Sequence, residues 1–422
     1  MRKKTNKTFY FCNSCIHTFG EQDINLLQYK DEEQELKDIE KYCNICGQKI
    51  DDNKDIHEIS KQVDLFKSAV KNPNLTVVCF IAPSIRVSIS NEFMNGKIED
   101  CQGKIISALK ILGCDIVFDM NIGADFTVVE EAHEFVKRYN SKKNLPMFTS
   151  CCPGWVNFIT KTYPEFIPNL STCKSPQQMF GALISKYYAS YLGKKSTDLF
   201  VVSIVPCLIK KLEARYSSNN ASIGLDVDAA ITTSELIELI KESDIDFNNL
   251  ENSEFDNFFG TASGAGAIFG STGGVMEAAL RTIGDKISDN EIDNAMYQIV
   301  RGREGIRRSE ISVGDKKIKI AIVSGLANVK PLIESIKNGE ELDFVEVMAC
   351  PGGCVGGGGQ PKQNTSDIEE TVHKRAEELY NCANKNINQK AHKNPSLEKI
   401  YTKYLGDIGG DKAYKILHRG YN

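Results

Sequence analysis

The sequence has little of what marks nucleic-acid-binding, secreted or membrane proteins. Acidic residues outnumber lysine and arginine by 56 to 51, so no basic surplus is present to neutralise phosphates, and we expect no nucleic-acid partner. No apolar run approaches the length that spans a bilayer, which predicts no membrane partner. After the basic N-terminus, Thr8–Cys15 is too short and too polar for the core of a signal peptide. We therefore expect a cytoplasmic protein.

Motifs for nucleotide binding are also missing. Gly264, Gly266 and Gly270 do not have the G-x-G-x-x-G spacing, and no G-K-[ST] follows a glycine run with the spacing of a phosphate-binding loop. The six histidines are dispersed and include no H-E-x-x-H pair. Nucleotide binding is therefore disfavoured.

Cysteine, in contrast, is abundant. The chain has 14 cysteines, and a reducing compartment disfavours structural disulfides, so they need another explanation. Five stand singly and are interpreted as small buried hydrophobic residues: Cys79, Cys101, Cys114, Cys173 and Cys382. The other nine lie in paired or turn-like contexts, which indicates metal binding or redox chemistry.

Residues 1–60 form a separate block with two C-x-x-C pairs. The pairs are F-C-N-S-C and Y-C-N-I-C-G, and they supply Cys12, Cys15, Cys43 and Cys46. Four thiolates in two such pairs predict a small domain with a tetrahedral metal site, as in zinc ribbons and rubredoxin-like iron sites. Thiolate chemistry alone does not separate zinc from iron, and four cysteines without a metal are the remaining alternative.

From residue 61 onward, short apolar segments alternate with amphipathic ones. The predicted strands are Thr76–Ala82, Asp115–Phe118, Leu199–Val205, Ile318–Val323 and Phe344–Met348. The predicted helices are Gly103–Leu112, Val128–Tyr139, Ser175–Leu192, Ser234–Glu242 and Lys330–Lys337. Buried strands separated by helices predict an α/β domain with a mostly parallel sheet, over residues 61–366. Residues 367–422 are charged and helical, and we expect them to wrap this domain.

Three cysteine-containing loops stand out in that domain. They are T-S-C-C-P-G-W (Thr149–Trp155), V-P-C-L-I-K-K-L-E (Val205–Glu213) and E-V-M-A-C-P-G-G-C-V-G-G-G-G-Q-P (Glu346–Pro361). Adjacent side chains diverge, so Cys151 and Cys152 are interpreted as one free thiol beside one ligand. Cys152, Cys207, Cys350 and Cys354 then make four thiolates, the complement of a 4Fe–4S cluster.

These three loops, in this order, resemble the signatures of the iron-only (di-iron) hydrogenases. The resemblance extends over residues 61–422 and includes Asn169–Gly181 and Phe269–Arg281. It implies a two-lobed catalytic fold with mostly parallel sheets and flanking helices. It also implies an H-cluster, in which a 4Fe–4S cubane is bridged to a two-iron subsite that carries CO, cyanide and an azadithiolate. The activity implied is the reversible conversion of H2 into two protons and two electrons.

Roles for individual residues follow from the resemblance. Cys152, Cys207, Cys350 and Cys354 would bind the cubane, and Cys354 would also bridge to the two-iron subsite. Ser84 and Lys210 would donate hydrogen bonds to the cyanides, Pro83 and Gln177 would line the pocket, and Met348 would pack by the bridging carbonyl. Val205 replaces a methionine of the family pattern, which should alter packing and potential rather than remove a ligand.

The resemblance also implies a proton route. Cys151 would be the acid–base group beside the cluster, and Glu131, Ser171, Glu134 and Arg138 would lead from it to solvent. Glu131, Glu134 and Arg138 share one face of the predicted helix, because they are spaced i, i+3 and i+7. Without the resemblance, these three residues would be interpreted as an ordinary salt-bridged helix face.

The implied partners are H2, protons, a ferredoxin or similar low-potential carrier, and maturation proteins that build the two-iron subsite. No ferredoxin-like C-x-x-C-x-x-C-x-x-x-C-P run occurs in the chain. Electrons would therefore pass through the N-terminal metal site, or directly between the carrier and the cubane. Two alternatives remain: a hydrogen sensor with slow turnover, and a non-catalytic iron–sulfur assembly factor.

Overall fold

Two four-stranded β-sheets form the framework of this computed structural model. The structure describes residues 61–216, 221, 224–288, 293–302, 305–361 and 368–421. Nearer the N-terminus it describes the backbone of two antiparallel pairs: Tyr10–Phe11 (β1) with Thr18–Phe19 (β2), and Ile24–Leu26 (β3) with Lys41–Cys43 (β4). Cys12, Cys15 and Cys46 of the predicted metal site lie outside the described residues, and Cys43 is described only as a backbone position. That metal site stays a prediction.

The remaining strands divide between the two sheets. They are Thr76–Ile81 (β5), Ile116–Asp119 (β6), Met147–Phe148 (β7), Leu199–Val205 (β8), Ala229–Thr232 (β9), Ile306–Val313 (β10), Lys316–Ser324 (β11) and Phe344–Met348 (β12). One sheet has the order β6-β5-β8-β9 and is parallel throughout. The other has the order β10-β11-β12-β7, with only β10 and β11 antiparallel. The predicted α/β class with mostly parallel sheets is confirmed.

Burial explains why the central strands could be predicted from the sequence. All residues of β12 are buried, as are all but the first of β5 and all but one of β8. Strands covered on both faces lose the alternation of polar and apolar residues and become continuous apolar runs. In β10 only two residues are fully buried, and charged side chains such as Arg308 and Glu310 project from it. The sequence analysis missed this edge strand because it lacks an apolar run.

Helices cover both sheets. Those of the described residues are Gln62–Ala69 (α1), Ile85–Ser88 (α2), Ser90–Phe93 (α3), Gln102–Ile111 (α4), Asn121–Ser141 (α5), Pro153–Thr162 (α6), Pro176–Leu183 (α7), Ala189–Tyr191 (α8), Ile209–Glu213 (α9), Thr233–Glu242 (α10), Gly264–Ala267 (α11), Gly274–Ser288 (α12), Val329–Lys337 (α13), Ile368–Asn384 (α14), Pro395–Ile400 (α15) and Asp411–Leu417 (α16). None of them is long and apolar enough to cross a membrane.

The longest helix, α5, begins seven residues before the predicted one. Its first part, from Asn121 to Glu131, is buried without interruption. A helix buried on all sides shows no amphipathic period, so the pattern became visible only where the helix reaches the surface. Between α7 and α8 a π-helical turn, Ile184–Tyr188, interrupts the single helix predicted there.

The C-terminal helices pack into the main core. Leu379 is fully buried in a cluster with Val355 of the glycine-rich loop, and Leu397, Leu405 and Leu417 belong to the largest core cluster. After α16 the chain runs beside residues 172–174, where His418 forms an antiparallel bridge with Cys173. The C-terminus thereby reaches the segment that contains Ser171 of the predicted proton route.

The glycine-rich loop after β12 depends on backbone that only glycine adopts easily. Gly353 has a φ of +91°, and a Cβ placed on it would lie 2.7 Å from the backbone nitrogen of Thr272. Its neighbour Cys354 is one of the four predicted ligands. The close approach of Gly353 to Thr272 therefore fixes where that cysteine stands.

We expect Gly353→Ala to destabilise the protein, because the new Cβ combines a strained backbone with a clash, at a cost of about 1–3 kcal/mol. The same substitution at Gly358 is the matched control, since its Cβ would meet no atom within 4 Å. The temperature of thermal unfolding should fall clearly for Gly353→Ala and little for Gly358→Ala. Equal unfolding temperatures for the two variants would contradict this account of the loop.

Candidate active site

A cavity of about 90 Å³ opens where four loops meet at the carboxyl ends of strands. The loops follow β5, β7, β8 and β12, so both sheets contribute to its wall. The space exceeds what one water molecule needs, roughly 10–15 Å³. Its lining includes every residue that the sequence analysis connected with the cofactor: Pro83, Ser84, Cys151, Cys152, Gln177, Val205, Cys207, Lys210, Met348, Cys350 and Cys354.

The four predicted ligand thiols face one another across this cavity. Burial raises the pKa of the Cys207 thiol to about 12, and the sulfurs of Cys152 and Cys354 raise it further. The pKa of Cys354 is likewise raised to about 12 by burial and by Cys152. Burial and the same neighbours hold the pKa of Cys350 well above its usual range. Buried thiolates would repel one another, and a cationic metal centre between them would offset that repulsion.

Their spacing separates two kinds of metal centre. A tetrahedral zinc ion with Zn–S bonds near 2.3 Å would place its sulfurs about 3.8 Å apart. Among the described residues, no three of these four sulfurs lie within 4.8 Å of one another. They are too far apart to share one ion, yet close enough to affect each other's pKa. The donor set therefore fits a multinuclear iron–sulfur cluster and not a single zinc ion.

The adjacent cysteines have different surroundings. The Ala349 N–H lies 3.4 Å from Cys152 Sγ and donates to it, which joins Cys152 to the loop of Cys350. Cys151 is more deeply buried, and its pKa is held well above the usual range by burial and then by the carboxyl of Glu131. Cys152 thus joins the group of four thiols, whereas Cys151 interacts with the Glu131 carboxyl of α5.

Polar groups at the cavity retain hydrogen-bonding capacity. The Ser84 hydroxyl is fully buried and has no partner among the described residues. Lys210 Nζ donates to the Cys151 carbonyl (3.1 Å) and to Glu213 Oε2 (2.8 Å), which uses two of its three protons. A buried donor without a partner is costly, so these groups fit a pocket that receives an acceptor. Such acceptors match the cyanide ligands implied by the family resemblance.

Gln177 and Glu213 hold Lys210 in place. The Gln177 amide donates to the Lys210 carbonyl (3.0 Å) and accepts from the Ser203 hydroxyl (2.8 Å). The fully buried Glu213 also accepts from the Ser175 hydroxyl (2.9 Å). Glu213 was not among the predicted site residues. The K-x-x-E spacing, which places both side chains on one helix face, was the signal for it.

Three of the predicted proton-route residues form a continuous hydrogen-bonded group. Arg138 Nη2 donates to Glu134 Oε1 (2.6 Å), and the Ser171 hydroxyl donates to Glu134 Oε2 (2.9 Å). The side chains of Arg138 and Glu134 are 12% and 14% exposed, so this end of the group reaches solvent. The carbonyls of Pro168, Asn169 and Leu170 accept from Arg138 and fix its position.

Glu131 lies at the inner end of this group. It is fully buried, and neither carboxyl oxygen has a hydrogen-bond partner among the described residues. Burial, and then the charge of Glu134, raise its pKa to about 8, although the Ser171 hydroxyl and the Ser150 N–H act in the opposite direction. The raised pKa favours the protonated form of Glu131 near neutrality, and the carboxyl interacts with Cys151 as well as with Ser171 and Glu134.

The C-terminal segment also reaches the site, which no motif indicated. The Arg419 N–H donates to the Thr172 carbonyl (2.8 Å), and Arg419 Nη2 donates to the Ser150 carbonyl (3.2 Å). The Tyr421 hydroxyl donates to the Ser171 carbonyl (2.6 Å). These contacts join residues more than 200 positions apart, so only the folded chain reveals them.

Comparisons with known proteins agree with this geometry. Residues 75–358 match the family described as the iron only hydrogenase large subunit, C-terminal domain, and residues 369–422 match the iron hydrogenase small subunit family. The chain is 44% identical to iron hydrogenase 1 of Clostridium pasteurianum over 85% of its own length and 63% of that protein. It therefore spans less than two thirds of that curated relative.

A solved structure and a more distant relative complete the comparison. The fold matches an apo [FeFe]-hydrogenase from Chlamydomonas reinhardtii with a TM-score of 0.75 and 35% identity, over 85% of this chain and 98% of that one. The chain is also 30% identical to a cytosolic Fe–S cluster assembly factor of Danio rerio, over 82% of this chain and 86% of that protein. On these matches, the chain belongs to the iron-only hydrogenase family.

Proposed function

We propose that this protein is an iron-only hydrogenase that catalyses the reversible conversion of H2 into protons and electrons. One observation carries the proposal. The cavity that gathers the four thiols also contains Cys151, which faces a chain of acid groups leading toward solvent. Hydrogen conversion at a redox cluster needs thiols that hold the cluster and acid groups that exchange protons with solvent.

The cluster would be held by Cys152, Cys207, Cys350 and Cys354, with Cys354 shared with the two-iron subsite. When bound, this H-cluster supplies the iron at which hydrogen is formed or cleaved and the store for the electrons. Ser84 and Lys210 would orient and polarise its anionic ligands through charge-assisted or otherwise unpaired donors. Pro83, Gln177 and Met348 would shape the pocket, and Val205 leaves more room there than the methionine of the family pattern.

The chain's own groups would carry the proton. The raised pKa of Cys151 keeps its thiol protonated, so it can donate a proton without first leaving a buried charge. Glu131, with a pKa of about 8, can accept and release a proton near neutrality. Ser171 relays to Glu134, and Arg138 holds Glu134 near the surface. Because no direct bond joins Glu131 to Cys151 or Ser171, its carboxyl must turn or a water must bridge the gaps.

The proposal extends to the partners. A ferredoxin-type carrier would exchange electrons with the cubane, either directly or through a metal at Cys12, Cys15, Cys43 and Cys46. Maturation proteins would deliver the two-iron subsite. The ten cysteines that the structure describes from residue 61 onward are free thiols, which suits a reducing cytoplasm. The division into residues 1–60, 61–366 and 367–422 belongs to the same proposal.

The 30% identity with the Danio rerio protein is the observation that supports the assembly-factor alternative. Hydrogen turnover with a low-potential dye, on protein loaded anaerobically with the two-iron subsite, distinguishes the hydrogenase, the assembly factor and the sensor. Infrared bands of CO and cyanide together with fast turnover are the expected result. Failure to retain the subsite would favour the assembly factor, and a complete cluster with slow turnover would favour the sensor.

The neighbouring cysteines should differ in cluster binding. After reconstitution with iron and sulfide alone, we expect Cys152→Ala to lose iron and visible absorption, because a ligand is removed. Cys151→Ala should bind as much iron as the unaltered protein, because its thiol faces α5. Iron analysis per chain measures both. Loss of the cluster in Cys151→Ala and its retention in Cys152→Ala would reverse the assignment.

Turnover should depend on Cys151 even when the cluster is complete. We expect Cys151→Ala to reduce turnover by about 10²–10⁴-fold, the usual contribution of a positioned acid–base group. Cys79→Ala, which removes a fully buried thiol from β5, is the matched control and should remain active. Infrared spectra must show the same cluster in all three proteins. Near-normal turnover of Cys151→Ala would remove this thiol from the route.

The raised pKa of Glu131 makes a prediction about stability. Between its ordinary value of 4.5 and about 8, the folded protein keeps a proton that the unfolded chain has lost. Stability from this group is therefore present at low pH and declines as pH rises through that window. Relative to Glu131→Gln, the unfolding temperature of the unaltered protein should fall between pH 5 and 8.

The pH series is measured on cluster-free protein by thermal unfolding. Other buried carboxyls with raised pKa and no interaction with Glu131, such as Asp228, affect both proteins equally and cancel in the comparison. Glu238→Gln, at an exposed position of α10, is the matched control for the removal of a carboxyl group. Parallel curves for Glu131→Gln would mean that Glu131 is ionised in the fold.

A further inference from the structure

Hydrogen bonds continue beyond the predicted proton route, from Glu134 to the C-terminal segment. The Thr172 hydroxyl lies 3.3 Å from Glu134 Oε2 and 2.8 Å from His418 Nδ1. Thr172 also donates its backbone N–H to the same carboxyl oxygen (3.0 Å). A single hydroxyl thus connects the outer carboxylate of the route to a histidine at the end of α16.

The other ring nitrogen of His418 is held by a buried carboxylate. His418 Nε2 lies 3.0 Å from Glu130 Oε2, and both side chains are at most 4% exposed. Glu130 also accepts from the Tyr401 hydroxyl (2.5 Å) and the Gly409 N–H (2.9 Å). An ionised carboxylate can only accept hydrogen bonds, so in the contact with ionised Glu130 the proton lies on His418 Nε2.

The hydroxyl proton of Thr172 can point in only one direction at a time. When His418 is neutral with its proton on Nε2, Nδ1 is an acceptor, and the Thr172 hydroxyl donates to it. When His418 is protonated, Nδ1–H donates to Thr172, and the hydroxyl proton can turn toward Glu134. Protonation of His418 therefore adds a donor to a carboxylate that already accepts from Ser171.

We propose that His418 is a pH-dependent positioning residue for the proton route, which acts on Glu134 through the hydroxyl of Thr172. The inference deepens the proposed function and rests on it, because it gives the outer carboxylate of that route a regulator. An added donor stabilises the ionised carboxylate, so Glu134 takes up a proton less readily when His418 is charged. His418 itself stays outside the reacting group.

Ionisable groups of both signs surround His418. The carboxyl of Glu130 contacts the imidazole directly, and the carboxyl of Glu134 is reached through the Thr172 hydroxyl. The Tyr414 ring stacks on the imidazole at 4.6 Å between centroids. The titratable and charged groups around His418 come from α5, residues 172–174, α12, the segment after α15 and α16: Glu130, His133, Glu134, Cys173, Lys286, Tyr401, Tyr414 and Arg419.

The test compares two substitutions at Thr172. Thr172→Val keeps the shape and the backbone N–H but removes the hydroxyl, whereas Thr172→Ser keeps the hydroxyl. The first readout is the NMR titration of the His418 imidazole in full-length, cluster-free protein with a chelator present. We expect the midpoint to fall by about one pH unit in Thr172→Val, because the buried cation loses its acceptor. Thr172→Ser should titrate as the unaltered protein does.

The second readout is the pH profile of hydrogen turnover in loaded protein. The unaltered protein and Thr172→Ser should show an inflection at the His418 midpoint, and Thr172→Val should lack it. A purely structural role for Thr172 would lower turnover at every pH and leave the profile's shape unchanged. That result, or an unshifted His418 titration in Thr172→Val, would overturn the proposal.

The two readouts also separate this inference from the proposed function. If the loaded unaltered protein has no turnover, the hydrogenase proposal fails, while the imidazole titration still tests the contact between Thr172 and His418. If turnover is fast and all profiles coincide, only the regulatory inference fails. Thr172→Ala replaces Thr172→Val if the latter does not fold, and the same outcomes apply.

Discussion

Four thiols must face one cavity without approaching one another closely, and the rest of this structure depends on that constraint. Parallel strands provide the solution, because their carboxyl ends place loops side by side at one edge of a sheet. Here loops from both sheets meet, so sulfurs that are distant in sequence share one cavity. Gly353 lets one loop approach the backbone at Thr272, and Ala349 ties that loop to Cys152.

Two fully buried carboxyl groups, Glu346 and Glu131, belong to the same part of the structure. Glu346 in β12 accepts the N–H groups of Gly273 and Met276 (both 2.6 Å), which joins the central strand of the second sheet to the start of α12. Burial still raises the pKa of Glu346 to about 7. Glu131 has no hydrogen bond of that quality among the described residues, and its pKa is higher, about 8. The carboxyl with the closer backbone donors thus has the lower pKa of the two.

Much of the fold and most of the cavity could be predicted from local sequence. The continuous apolar runs of β5, β8 and β12 marked the central strands, and motif spacing placed the residues of the lining. The edge strand β10 escaped because its exposed positions carry charges. The buried start of α5 escaped because complete burial removes periodicity. Both elements were missed for the same reason: a periodic pattern of apolar residues appears only where one face of an element is buried and the other is exposed.

What the sequence could not show are contacts made across long chain separations. Arg419, Tyr421 and His418 reach Ser150, Ser171 and Thr172 only because the last residues pair beside residues 172–174. No spacing rule connects these positions. The tail, expected to wrap the outside, therefore contributes to the site as well as to the core.

The adjacent cysteines show why such contacts matter. Diverging side chains would let Cys152 serve electrons while Cys151 serves protons, so the two paths would separate at one peptide bond. The backbone there must not rotate, because a small turn would exchange the two thiols. Lys210 binds the Cys151 carbonyl, Arg419 binds the Ser150 carbonyl, and the Ser150 hydroxyl donates to the Cys173 carbonyl (2.7 Å). Three separate parts of the chain thus hold the backbone beside this dipeptide, and in the proposed mechanism the fixed backbone would keep electron and proton transfer apart.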